Sequence, residues 1–316
     1  MAKGIALLVG IKEVDSNQYN GWDGREGCFG CEKDVEIMRR ILHPMGYEIQ
    51  TLLTREATAQ KILGGIRESI ASLEEGDIFV FYFSGHGGQT LEIKDGSEDE
   101  RDGLDETLIA YDRRIIDDEL NNLWTQAREG VRLVMVSDSC NSGTNYMTGI
   151  GLDFSGPEIT SIERREPARM KAQLIHLGGC QDGSMAAGHM SGGEFTASLR
   201  AAWDEGRFKG NYNDFYYEIK SCVETKQKPQ YKEYGPVTDE FRNSQPFQIR
   251  SNSKVNLSLE ITANTPAAIR EVIEEELTKI LMEHLEKVEN TIVRPIDVKG
   301  DSWENWSITG TVKTEF

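Results

Sequence analysis

The chain lacks long apolar stretches: no run approaches the ~18–20 consecutive apolar residues that a membrane-spanning helix needs. Basic charge is also short, with Lys and Arg totalling 35 against 53 Asp and Glu for a net charge of −18. That balance argues against a nucleic-acid backbone as partner, because phosphate recognition needs clustered Lys and Arg. Cysteine is sparse and odd in number, five in all. Cys28 and Cys31 form a Cys-x-x-Cys pair. A second such pair, or a Cys/His pair at zinc spacing, is missing, so neither a zinc site nor a thioredoxin-like redox role is expected. Internal repeats are absent. Met1-Ala2-Lys3-Gly4 leads straight into an apolar strand, without a separate apolar region and small-residue cleavage site. A cytoplasmic protein with free thiols is the expectation.

What the chain does have is an alternation of strand and helix patterns. Ile5–Ile11 reads as a strand, residues 12–30 as a Gly-rich loop, and Asp34–Leu42 as a helix with Val35, Met38 and Ile41/Leu42 on one side. Tyr47–Leu53 reads as a strand and Thr58–Leu73 as a helix carrying Ile62, Ile66, Ile70 and Leu73 inward. Ile78–Phe83, Leu133–Val136 and Gln173–Leu177 complete a five-strand parallel pattern, with helices expected over Asp117–Ala127 and Glu194–Asp204. A short strand is expected at Leu108–Tyr111, a helix at Tyr212–Cys222, and a polar loop over 225–246. Residues 92–106 hold eight acids against Lys94 and Arg101 and read as a solvated loop.

The last ~65 residues read as an addition. Val255, Leu257, Leu259 and Ile261 alternate with polar residues. Thr265-Pro266 starts a helix with an apolar stripe from Ile269 to Val288, and Thr291–Val298 and Trp306–Thr314 read as strands. The expected division is a main domain over 1–250 and a β-α-β-β accessory domain over 251–316. The accessory part carries no catalytic motif, and its partner is unknown.

Two apolar strands end on reactive side chains. Ile78–Phe83 runs into Ser84-Gly85-His86-Gly87-Gly88, and Leu133–Val136 runs into Ser137-Asp138-Ser139-Cys140-Asn141-Ser142-Gly143. In open α/β sheets, sites form beyond the carboxyl ends of the strands. A thiol at one strand end and an imidazole at another suit nucleophilic catalysis, since the imidazole takes the thiol's proton near neutral pH. The N–H groups of Gly87 and Cys140 are candidate oxyanion donors, glycine leaving the backbone open to approach. Cys28, Cys180, Cys222 and the other four histidines fit structural roles.

These motifs resemble the two signatures of the caspase-like cysteine peptidases, in the metacaspase and bacterial orthocaspase branch. Gly30-Cys31-Glu32-Lys33-Asp34, Asp102-Gly103-Leu104-Asp105-Glu106-Thr107-Leu108, Ile116-Asp117-Asp118-Glu119-Leu120, Gly179-Cys180-Gln181-Asp182 and Gly193-Glu194-Phe195-Thr196 extend the resemblance over about residues 4–205. It implies the α/β caspase-hemoglobinase fold, a mainly parallel sheet flanked by helices. It also implies a Cys140/His86 dyad that cleaves peptide bonds. Asp34 and Asp138 would line the S1 pocket, where carboxylates favour Arg or Lys at P1, the substrate residue before the cut. An alternative for Asp34 is a helix N-terminal acid facing the macrodipole. No organic cofactor is implied. Calcium is used in part of the branch, and Asp117 and Asp118 match part of its acid cluster; Met147 stands where another acid belongs, and a thioether does not ligate calcium. Asn141 replaces the usual His after the nucleophile. Arg164, Arg165, Arg169 and Lys171 offer basic sites for self-processing within 155–172. The competing expectation is a catalytically weak scaffold or sensor acting through its C-terminal domain.

Overall fold

The computed structural model describes residues 2–91, 104–139, 170–179, 188–189, 192–224 and 228–249, together with four C-terminal strands. In order, the elements are β1 (Gly4–Gly10), α1 (Cys31–Leu42), β2 (Glu48–Leu53), α2 (Ala59–Ala71) and β3 (Ile78–Ser84). There follow β4 (Gly87–Leu91), β5 (Leu104–Ile109), β6 (Arg114–Ile116), α3 (Asp117–Trp124), β7 (Arg132–Asp138) and β8 (Gln173–Gly178). The set continues with β9 (Gly188–His189), β10 (Gly192–Gly193), α4 (Glu194–Trp203), α5 (Tyr212–Cys222), β11 (Gln230–Tyr234) and α6 (Asp239–Arg242). The C-terminal strands are β12 (Lys254–Leu259), β13 (Thr291–Val293), β14 (Asp297–Ser302) and β15 (Asn305–Thr314). The chain divides into two compact units, one of Lys3–Ile249 and one of Arg250–Phe316 with Met1–Ala2.

A six-stranded sheet in the order β11-β8-β7-β3-β1-β2 forms the centre of the first unit. Its five expected strands are parallel, and β11 joins antiparallel to β8 at one edge. Side chains alternate across the sheet. Leu7, Val9, Phe79, Phe81, Phe83, Leu133 and Met135 pack with α2 and α3. Ala6, Leu8, Val80, Tyr82, Val134 and Val136 pack with α1, α4 and α5. Both faces being covered is why the strands read as continuous apolar runs. The helices keep their expected stripes, and α2 starts at Thr58, whose hydroxyl accepts the Lys61 amide at 3.3 Å. Among the described residues no helix is long and apolar enough to cross a membrane.

Three local expectations need correction. Residues 225–246 are not simply a polar loop, because they contain β11 and α6. Edge position explains the miss: Tyr231, Lys232, Glu233 and Tyr234 need no apolar run where one side of the strand stays open. The strand expected at 108–111 lies at Leu104–Ile109, taking in the end of the acidic stretch. It pairs antiparallel with Gly87–Leu91, a strand whose two glycines leave no alternation to read. In the second unit β12, β13 and β14 all pair antiparallel with β15, and the expected strand at 291–298 is two. The helix expected from Thr265 lies outside the described residues.

Candidate active site

The parallel register sets the site. Ser84 at the end of β3 pairs with Asp138 at the end of β7, and the Gly85 amide donates to the Asp138 carbonyl at 3.3 Å. His86 therefore leaves the sheet two residues beyond one member of this pair. Cys140 follows the other by two residues in sequence and lies outside the described residues.

His86 is held by the loop over 12–30. Its Nε2 lies 2.8 Å from the Gly24 carbonyl oxygen. The Trp22 ring packs on the imidazole with centroids 4.9 Å apart. Trp22 is itself fixed by edge contact with Tyr19, whose hydroxyl donates to the Ala110 carbonyl at 2.7 Å. Burial pulls the His86 pKa below its ordinary value, opposed by the backbone carbonyls of Gly24 and Glu26 and by the Glu26 charge. The imidazole is thus neutral at neutral pH. With Nε2–H donating to Gly24, Nδ1 carries the lone pair that a base needs. These loop contacts run largely through backbone oxygen, so composition gave no sign of them.

Gly87 faces Leu108 across the β4–β5 pair, while the Ile109 amide donates to the His86 carbonyl at 3.0 Å. That pattern makes Gly87/Leu108 a non-hydrogen-bonded pair. The Gly87 N–H consequently points away from β5, and β4 is the edge of its three-stranded sheet. A donor aimed off an edge strand is available to a developing oxyanion.

Asp34 and Asp138 are brought together on the sheet face covered by α1 and α4. Asp34 is fully buried, accepting from Ser84 Oγ at 2.8 Å and from the Gly193 amide at 3.0–3.1 Å. Its contacts are with the sheet and β10, not with the first amides of its own helix. Asp138, 5% exposed, accepts the Thr196 amide at 2.9 Å and the Thr196 hydroxyl at 2.7 Å. Tyr82 adds its hydroxyl to Thr196 Oγ1 at 2.6 Å. Burial, reinforced by the Asp138 charge, pushes Asp34 up to about 7 against the hydrogen bonds from Gly193 and Ser84. Burial likewise raises Asp138, opposed by its two bonds from Thr196. Among the described residues no Lys or Arg forms an ion pair with either carboxylate. Glycine is required alongside: a Cβ on Gly192 would sit 2.3 Å from Asp34 Oδ1, and one on Gly193 would sit 2.1 Å from Asp138 Oδ2. Ser84, Gly193 and Thr196 stood in sequence motifs without a role, and Tyr82 and Gly192 were not singled out, since a hydroxyl or glycine acquires a role only when the fold sets a carboxylate against it.

Asp117 and Asp118 open α3, where Asp117 Oδ1 accepts the Asp118 amide at 2.9 Å. Among the described residues no group of three or more His, Cys, Asp or Glu is placed to hold a metal ion. Two adjacent carboxylates fall short of the six to eight oxygens calcium takes. The acids of 95–103 and Met147 lie outside the described residues. Cys28 and Cys31 are buried and form no disulfide. His176 bonds Ser137 Oγ at 2.8 Å. Its side chain shares the α2/α3 face with Ser137, opposite the carboxylate pair.

A parallel α/β sheet with an imidazole leaving one strand end, and in sequence a cysteine two residues past the neighbouring strand, has the layout expected of an α/β cysteine hydrolase. The caspase domain family model matches residues 3–240. Metacaspase-1 of Botryotinia fuckeliana is 38% identical over 154 residues, 44% of this chain and 34% of that protein. Metacaspase-1 of Schizosaccharomyces pombe is 34% identical over 191 residues, 55% of this chain and 41% of that one. The chain thus spans about a third to two fifths of the length of these curated relatives. The crystal structure of protein GSU0716 from Geobacter sulfurreducens superposes with a TM-score of 0.69 at 33% identity, covering 78% of this chain and 99% of that one. The chain belongs to the caspase-domain family of cysteine peptidases.

Proposed function

We propose that the chain is an endopeptidase that cleaves after Arg or Lys through a Cys140/His86 dyad. The observation that supports this reading is the buried carboxylate pair, met by no Lys or Arg among the described residues, beside the strand end that leads to residue 140. Two buried acids stay ionised only at a cost, which a proton relieves at lower pH and a ligand cation would relieve at higher pH. Covalent reach alone keeps the Cα of residue 140 within about 7 Å of that of Asp138. A P1 guanidinium bound by Asp138 and Asp34 would therefore present its carbonyl near the thiol, with charge-assisted hydrogen bonds on two sides. An aspartate at P1 would be repelled.

The steps follow from the groups. His86, neutral because it is buried, takes the Cys140 proton through Nδ1 while Gly24 fixes the tautomer. The thiolate attacks the scissile carbonyl. Gly87 N–H, with the amide of Cys140, stabilises the oxyanion. His86 then returns the proton to the leaving amine, and a water activated by the same ring releases the acyl group. Protein and peptide substrates with basic P1 are the expected partners, including this chain's own basic segment within 155–172.

The competing reading, a catalytically weak or inactive scaffold or sensor acting through its C-terminal domain, gives no account of two buried acids that meet no cation among the described residues. Fluorogenic peptides with Arg, Lys or Asp at P1, tested with and without calcium on wild-type and Cys140→Ala protein, separate the two. Cleavage after Arg and Lys that Cys140→Ala abolishes supports the peptidase. Absence of turnover under every condition, with Cys140 inert to alkylating peptides, supports the scaffold.

A further inference from the structure

We infer that Trp22 and Phe29 form the wall that receives the substrate residue after the cut, P1′, and select an apolar or aromatic side chain there. The inference deepens the proposed function and rests on its reading of His86 as the acid that protonates the leaving amine. That step requires the P1′ nitrogen within hydrogen-bond reach of the imidazole. The P1′ side chain, two bonds further, must then lie against whatever flanks His86.

Aromatic surface flanks it. Trp22 packs on the ring at 4.9 Å. On the same loop, a Cβ on Gly27 would lie 3.8 Å from His86 Cε1, which places the start of the turn of 27–30 beside the imidazole. Phe29 sits in that turn between buried Cys28 and buried Cys31, yet is 56% exposed. Its backbone is anchored on either side by the Cys28 amide to the Arg25 carbonyl at 3.2 Å and the Cys31 amide to the Cys28 carbonyl at 3.2 Å. An anchored turn that starts beside the base and carries an exposed phenylalanine two residues further on is within reach of a side chain extending from the leaving amine. Nearby charge sharpens the choice: Glu26 acts on His86, while Asp23 is paired with Arg25 at 3.7 Å, so Glu26 is the charge that would repel an acidic P1′.

The test uses internally quenched peptides with Arg at P1, identical except for Phe, Leu, Ala or Asp at P1′. Wild-type protein is expected to cleave the Phe and Leu peptides about tenfold better in kcat/KM than the Ala peptide, with Asp poorest. Phe29→Ala is expected to bring the Phe/Ala ratio to within twofold, and Phe29→Leu to keep most of it. Cleavage after Arg with a flat P1′ profile, or a Phe/Ala ratio unchanged in Phe29→Ala, overturns the inference while leaving the peptidase reading standing. Cleavage of none of the peptides overturns both.

Discussion

Asp34 and Asp138 come from different elements, α1 and the end of β7, and meet within reach of each other's charge with at most 5% exposure and no ion pair among the described residues. On the proposed function the pair is a demand for a cation, and the Asp138 charge bears on the titration of Asp34.

The demand has a pH signature. Asp34 is raised to about 7, so the empty pocket holds a proton there below neutrality and loses it above. A P1 guanidinium favours the deprotonated form. The kcat/KM for Arg peptides should therefore rise through about pH 7 and level off above it. His86 is lowered by burial and does not set this limb. In Asp34→Asn the limb near 7 should vanish, with lower activity throughout. A pH profile of both proteins checks this.

The same residue reports on stability. A carboxylate whose pKa is raised on folding binds its proton more tightly in the native state, so native stability falls as pH rises from the unfolded value near 4 to about 7. Asp34→Asn removes that loss and keeps an acceptor for Ser84 and Gly193. It should stabilise the protein by a few kcal/mol at pH 8 and by much less at pH 4. Urea unfolding at the two pH values measures the difference.

Asp138→Asn should lower kcat/KM for Arg peptides by about 10²–10³-fold, equivalent to ~3–4 kcal/mol for a buried charge left without its partner. Thiol alkylation at Cys140 by a small neutral reagent should change far less, because the reagent does not use the pocket.

Gly193→Ala tests the packing of the pocket without touching its chemistry. Gly193 has φ −72° and ψ 145°, which alanine adopts freely, so the effect would come from the Cβ driven against Asp138. Arg-peptide cleavage should fall at least about tenfold, a displacement effect of the size expected for small shifts at a reacting centre.

Much of this was legible in sequence, for physical reasons that differ by residue. Ile78–Phe83 and Leu133–Val136 read as strands because both faces of the sheet are covered, and their ends located His86 and Cys140. Asp138 stood out as a carboxylate ending a buried strand. Asp34 was ambiguous, since an acid near a helix start is common. Only the fold shows it buried against Ser84 and Gly193. The clamp on His86 was invisible, because Gly24 acts through its carbonyl and Trp22 through a contact across 64 residues of sequence. β11 was missed because an edge strand needs no apolar run.

On the proposed specificity, the chain's own basic segment is a substrate for self-processing. Purified wild-type protein should show fragments ending at Arg164, Arg165, Arg169 or Lys171 by mass spectrometry. Cys140→Ala protein prepared in parallel should stay intact. Equal fragmentation of the two would assign the cuts to a contaminating protease.

The most direct test of the central claim is the P1 preference of the pocket, read as kcat/KM on matched peptides with Arg, Lys, Gln or Asp at P1. The buried carboxylate pair predicts Arg and Lys cleaved at least about 10²-fold better than neutral Gln, and no cleavage after Asp. Cleavage after Gln or Asp as fast as after Arg would contradict it.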